Sequence, residues 1–240
     1  VDADLQNYCY ERIKDTVASV IVMDVHTGEV HALASSPSFD PNQFNFGINP
    51  EQWKALSTDP KRPLTNRVIS GQYAPASTFK MIVALAALED GLDPRQTHTC
   101  RGYIDFGDSR FHCWKQDPGH GTLDLVESIS QSCDIYFYEL AKQLGINKIA
   151  AMARRFGLGE ETGIEIPGER SGLVPDRDWK MGALGRRWQR GETLIAGIGQ
   201  GYLLTTPLQL AVMTAALVNG GRLVPPTLAK AREAFPDVQH

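Results

Sequence analysis

Hydrophobic and polar positions divide the chain into segments of contrasting period. Val17 to Val25 and Glu29 to Ala34 are rich in β-branched residues and flank His26-Thr27-Gly28, a pattern that predicts a β-hairpin. Asp2 to Asp15 predicts a helix ahead of it. From Ala74 to Leu88 almost every side chain is apolar and small or branched. That predicts a helix enclosed by other elements, with Pro75 in its first turn and a stop at Gly91. Shorter helices are predicted around Glu51 to Leu56, from a Thr122 cap to Ser130, over Ile135 to Leu144 before Gly145, and over Ile146 to Phe156. A last helix, Leu208 to Val218, follows Thr206-Pro207 and ends at Asn219-Gly220-Gly221. The stretches 37–74, 93–121 and 162–190 read mainly as loops and turn-rich connections. A hairpin sheet flanked by helices is an α+β fold, and without repeats, low-complexity tracts or linkers the 240 residues are expected to form one domain, 1–240.

Composition narrows the function classes. With 42% hydrophobic and 22% charged residues the chain can bury a full core, and its net charge of −4 provides no basic footprint for nucleic acid. The longest apolar run, Met81 to Leu88, is too short to cross a bilayer.

Candidate chemistry enters with Ser77 and Lys80, three residues apart and so on one face of a helix. Burial disfavours the charged form of a lysine, and a lysine drawn out of water beside a hydroxyl can serve as its base. Ser-x-x-Lys alone is a short pattern that a capping serine and a solvated lysine also produce. It gains weight from Ser132-Cys133-Asp134, a Ser-x-Asp unit between two predicted helices.

Together with Arg67 to Ser77, Gly197-Ile198-Gly199-Gln200-Gly201-Tyr202, Thr206 to Ala211 and Asn219-Gly220-Gly221, these motifs resemble, in order, the transpeptidase domain of class B penicillin-binding proteins. Aspartate in the second motif is most similar to the elongation-type members. The resemblance implies an antiparallel sheet flanked by helices in the penicillin-binding-protein and serine β-lactamase-like fold. It also implies cross-linking of peptidoglycan stem peptides, inhibition by β-lactams, and partnership with a membrane glycosyltransferase and other elongation-complex proteins. The implied location is the periplasmic face of the bacterial inner membrane, with an anchoring segment outside this chain. Ser77 would attack the carbonyl between two terminal D-alanines and Lys80 would be its base. Ser132 would carry a proton to or from the leaving nitrogen. Asp134 would hold Lys80 or the substrate amide, and the Ser77 N–H would form half of an oxyanion hole. The family's third motif, Lys-Thr-Gly, is absent; His26-Thr27-Gly28 and Glu161-Thr162-Gly163 have the wrong first residue and the wrong place in the order. The chain reaches His240 before that strand would arrive, so a fragment of a transpeptidase domain is expected. A non-hydrolysing β-lactam sensor, a catalytically incomplete scaffold and a serine β-lactamase are the alternatives.

Cys100, Cys113, His120 and Cys133 form a second constellation, separated by twelve, six and twelve residues. Three cysteines and a histidine are a suitable tetrahedral zinc set and would staple a loop-rich region. A Cys100–Cys113 disulfide, plain buried thiols, or a His120 that only completes a turn remain open. Some members of the family the chain resembles have a metal near the second motif. In an extended Ser132-Cys133-Asp134, Cys133 would face the metal while its neighbours face substrate.

Overall fold

The computed structural model describes residues 1–45 and 47–229, which fall into two compact units between which the chain passes more than once. Among the described residues, unit 1 comprises 1–45, 47–72, 161–171 and 206–229; unit 2 comprises 73–160 and 172–205.

In unit 1, helix α1 (Ala3–Ile13) leads into strands β1 (Ala18–Met23) and β2 (Val30–Ser36), paired antiparallel with Val20 opposite Ala34 and a bulge between Val22 and Met23. Alternate β2 residues, Val30, Ala32, Ala34 and Ser36, are buried, as a sheet covered on one face requires. Asp2 caps α1 by accepting from Leu5 N–H. Gln6 exchanges hydrogen bonds of 2.8 and 2.7 Å with the Leu33 backbone, so α1 also satisfies part of the β2 edge. Helices α2 (Pro50–Thr58) and α3 (Arg67–Ser70) follow, each capped by an asparagine. The unit's core joins Val30, Val68, Ile69 and Ile164 to Leu208. The two Thr-Gly sequences also lie here as turns: Asp24 accepts from the His26 and Thr27 amides, and Glu169 accepts from those of Thr162 and Gly163.

Unit 2 begins with a 3-10 turn, Ala76–Phe79, that runs into helix α4 (Lys80–Glu89). The stretch 93–121 contains short strands as well as loops: β3 (His98–Cys100) pairs with β6 (Gly121–Leu123), and β4 (Tyr103–Phe106) with β5 (Ser109–His112). Strands of three or four residues carry too little periodicity to stand out in sequence. Helix α5 (Leu125–Ser130) is capped by Asp124 in a capping box with Glu127; the predicted cap, Thr122, lies in β6. Helices α6 (Asp134–Leu144) and α7 (Ile146–Arg155) meet at Gly145 as expected. The turn-rich stretch 162–190 conceals α8 (Arg177–Leu184), and α9 (Arg190–Gly197) follows it. Asp176 caps α8 at Trp179 N–H, a signal obscured in sequence by Gly182 and Gly185 inside and after a short helix. The core of unit 2 packs α6 against α4 and α9 through Phe79, Ile82, Ile135, Phe137, Leu140 and Leu194. The chain returns to unit 1 through α10 (Pro207–Val218), opened by a Thr206–Gln209 capping box. Among the described residues no helix is long and apolar enough to cross a membrane.

Candidate active site

Two strained residues shape the site. Ala76, immediately before Ser77, has φ +50°, and Ser132 has φ +52°. A left-handed conformation costs a non-glycine residue about 1–2 kcal/mol and clusters at functional positions. The cause at Ser132 is a helix-termination motif. Ser132 N–H donates to Ile129 C=O at 3.1 Å and Cys133 N–H to Ser128 C=O at 2.9 Å, the paired bonds of a Schellman cap at the end of α5. Glycine is the usual residue at that position, and serine there puts a hydroxyl where glycine would leave nothing. Cys133 then takes up an extended conformation as the N-cap of α6, and Asp134 is the helix's first residue. The Ser-x-Asp unit is therefore a helix-to-helix corner and not the extended segment expected from sequence. Cys133 nevertheless diverges from its neighbours: it is buried among other thiols, while Ser132 and Asp134 both reach Lys80.

Lys80, only 3% exposed, points its ammonium at three acceptors: Asp134 Oδ1 at 2.6 Å, the Ser132 carbonyl at 2.8 Å and Ser132 Oγ at 3.1 Å. The Phe137 ring lies 5.5 Å below it. All three N–H bonds of an ammonium are thus satisfied, and the Asp134 carboxylate offsets the cost of burying the charge. Ser132 Oγ in turn donates to Ser77 Oγ at 3.0 Å, so the lysine reaches Ser77 through Ser132. Both oxygens of Asp134 are engaged: Oδ1 accepts from Lys80 Nζ and Oδ2 from Trp114 N–H at 2.9 Å. A cleft of about 520 Å³, lined by Trp114, Lys115, His120, Ser130, Gln131 and Ser132, opens beside this chain of groups.

The four metal-type residues also converge. One donor atom from each of Cys100, Cys113, His120 and Cys133 lies within 4.8 Å of every other. His120 Nδ1 is 3.5 Å from both the Cys100 and Cys113 sulfurs, and its Nε2 is buried without a hydrogen-bond partner. Zn–S and Zn–N bonds of about 2.3 and 2.0 Å give a tetrahedral S···N edge of about 3.5 Å, so the donor set fits zinc. The Cys133 thiol holds Cys113 well below the usual thiol range, helped by N–H groups of Lys115, Asp134 and Ile135; the same contact and burial push Cys133 up. All four cysteines of the chain are free thiols, and Cys9 is buried separately in α1.

Sequence reasoning passed over two residues of the site. Trp114 contacts the Ser132 corner, and Gly199 contacts the nucleophile turn: Ala76 N–H donates to Gly199 C=O at 2.9 Å, and a Cβ at Gly199 would lie 2.8 Å from Ala76 N and C and overlap its carbonyl oxygen. Gly199 stood within a motif, but nothing local tied it to residue 76.

A serine linked through a second serine to a buried, carboxylate-held lysine is the arrangement of the penicillin-recognising serine class. Residues 18–240 match the penicillin binding protein transpeptidase domain family, and the chain belongs to that family. It is 42% identical over 236 residues to the peptidoglycan D,D-transpeptidase MrdA of Haemophilus influenzae, a match covering 97% of this chain and 36% of that protein. Among solved structures, the penicillin-binding protein PBP2 of Helicobacter pylori superimposes with a TM-score of 0.90 at 35% identity, covering 94% of this chain and 43% of that one. Pseudomonas aeruginosa PBP2 in complex with WCK 5153 gives 0.88 at 40% identity, covering 95% and 49%. The chain thus spans about a third of the length of the curated relatives it matches.

Proposed function

We propose that this chain carries the acyl-enzyme-forming centre of a peptidoglycan D,D-transpeptidase of the elongation type, with Ser77 as nucleophile. The observation that carries the reading is the hydrogen-bonded series Ser77 Oγ, Ser132 Oγ, Lys80 Nζ, Asp134 Oδ1 with its lysine buried. Ser77 Oγ attacks the carbonyl joining the two terminal D-alanines of a stem peptide. Its proton passes to Ser132 Oγ as the Ser132 proton passes to Lys80, which must be uncharged at that moment. In the opposite direction Lys80 protonates Ser132, and Ser132 protonates the leaving nitrogen as the C–N bond breaks and D-alanine departs. An amine of a neighbouring strand then takes the acyl group and frees Ser77. The Ser77 N–H contributes one oxyanion donor. In the whole protein the partners are a membrane glycosyltransferase and other elongation proteins at the periplasmic face of the inner membrane.

Incubation with benzylpenicillin, read by intact mass and peptide mapping, tests this. A stable adduct of one penicillin on Ser77, absent from Ser77→Ala, is the expected outcome. Rapid turnover of the drug would instead indicate a β-lactamase, and a folded chain that forms no adduct even when extended beyond residue 240 to include the third motif would overturn the nucleophile assignment.

Cys100, Cys113, His120 and Cys133 would hold a structural zinc, whose chemistry is to bind thiolates and imidazole and to anchor the corner that presents Ser132 and Asp134. The purified chain is expected to contain about one zinc. Its removal by a chelator should lower the melting temperature and slow Ser77 acylation together. A metal-free chain, or a Cys133→Ser variant, with both properties unchanged would exclude the role.

A further inference from the structure

Trp114 is 64% exposed, yet both of its N–H groups are turned inward onto the corner that presents Ser132. The indole Nε1–H lies 3.1 Å from both the Gln131 and the Ser132 carbonyl oxygens, and the backbone N–H donates to Asp134 Oδ2 at 2.9 Å. The Ser132 carbonyl accepts from Lys80 Nζ as well, so one oxygen is held by the lysine on one side and by Trp114 on the other. Behind the ring, His120 packs edge to face at 5.1 Å between centroids, and the preceding residue, Cys113, is buried against the first turn of α6. A left-handed serine at a Schellman cap is a costly conformation that lasts only where its surroundings over-determine it. The Gln131 and Ser132 carbonyls, at the end of α5, are the groups whose orientation turns with the φ and ψ of that corner.

We infer that Trp114 is a positioning residue for acylation. Its indole N–H fixes the carbonyls of Gln131 and Ser132, and thereby keeps Ser132 Oγ between Lys80 and Ser77. This rests on the reading of Ser77 as the acylated residue, and it assigns the indole N–H, not the apolar ring, as the active part. Trp114 acts through Ser132 and takes no proton. Loss of its N–H leaves every group of the relay present but allows the Ser132 hydroxyl to leave the line between its two neighbours. The bond-making step therefore slows while initial binding does not change.

Three variants of the same chain separate these roles. In the first, 3-benzothienylalanine replaces Trp114, keeping the shape and apolar area of the indole but lacking its donor; the second and third are Trp114→Phe and Trp114→Ala. Time-resolved mass spectrometry over a range of benzylpenicillin concentrations separates the dissociation constant of the first complex from the acylation rate constant. Hydrogen exchange of the peptide spanning 130–136 reports the corner directly. The benzothienyl variant is expected to lose about tenfold in the acylation rate constant, the scale of one or two neutral hydrogen bonds. Its dissociation constant should be unchanged, its melting temperature lower by no more than about 2–4 °C, and its exchange at 130–136 faster. Trp114→Phe should follow it, and Trp114→Ala should additionally weaken binding or stability. An acylation rate constant within twofold of the parent, or unchanged exchange at the corner, overturns the inference. If neither the parent chain nor one extended to include the third motif forms an adduct, the nucleophile reading fails by itself, and exchange at 130–136 still decides whether the indole N–H holds the corner.

Discussion

Replacing Ser132 by glycine is expected to lower the rate of Ser77 acylation by about 10²–10⁴-fold, the range of a lost general acid–base group, while leaving the fold nearly as stable as before. Among the described residues the Ser132 hydroxyl links Lys80 to Ser77 Oγ, so its loss leaves the lysine held by Asp134 and the residue-132 carbonyl but without that path to the nucleophile. The stability side involves two opposed effects. Glycine relieves the left-handed strain at φ +52°, about 1–2 kcal/mol, and the loss of a hydrogen bond from a buried ammonium costs about 1.5–3 kcal/mol. Ser132→Ala loses the same bond and keeps the strain. The glycine variant should therefore be more stable than the alanine variant by about 1–2 kcal/mol, with both equally unreactive. Parallel urea melts and penicillin acylation rates check this. An alanine variant as stable as the glycine one would mean that the corner is not strained, and a reactive glycine variant would mean that the proton travels another way.

Gly199→Ala should have the largest effect on the fold of unit 2. Its φ is +72°, and an added Cβ would overlap the Ala76 carbonyl in the turn that presents Ser77. Strain at the backbone and overpacking against it together come to roughly 2–6 kcal/mol, because the obstructing atoms are main chain and cannot swing aside as a flexible side chain would. The turn can yield only by giving up the Ala76 N–H to Gly199 C=O bond, which displaces Ser77 from Ser132 Oγ. A lowered melting temperature with a loss of acylation of at least 100-fold is the expected result. Gly182→Ala is the internal control. Gly182 lies inside α8 with nothing near an added Cβ and without a positive φ, so alanine there should be neutral or stabilising by up to about 1 kcal/mol. Equal behaviour of the two variants would remove the close approach at residue 199 as the cause.

Much of the architecture was legible in the chain because it depends on neighbours in sequence. The β1–β2 hairpin, the helix opened at Thr206-Pro207 and the stop at Gly145 are each decided within a few residues and formed where the pattern put them, and the apolar run ending at Leu88 formed α4, though its first turn is 3-10. The Ser77 and Lys80 pair and the four thiol and imidazole groups could be named from residue type and spacing, and Ser132 with Asp134 from the motif that the family resemblance supplies. The elements that escaped were short or locally ambiguous. Strands β3 to β6 have three or four residues each, and α8 contains a glycine.

Which atoms meet was set by packing between segments far apart in the chain. Sequence put Ser77 and Lys80 on one helical face, whereas Ser77 belongs to a 3-10 turn, and Lys80, the first residue of α4, turns its ammonium to a corner more than fifty residues away. The left-handed Ser132 closes α5 in a local Schellman cap that no glycine announces. The inward indole of Trp114 and the approach of Gly199 to Ala76 have no local signature and arise where packing brings segments distant in sequence together. Local propensity and motif thus account for the elements and the chemical groups. The connections among those groups came from long-range packing, because a hydrogen bond's reach of about 3 Å is set by how the helices lie against one another and not by spacing along the chain.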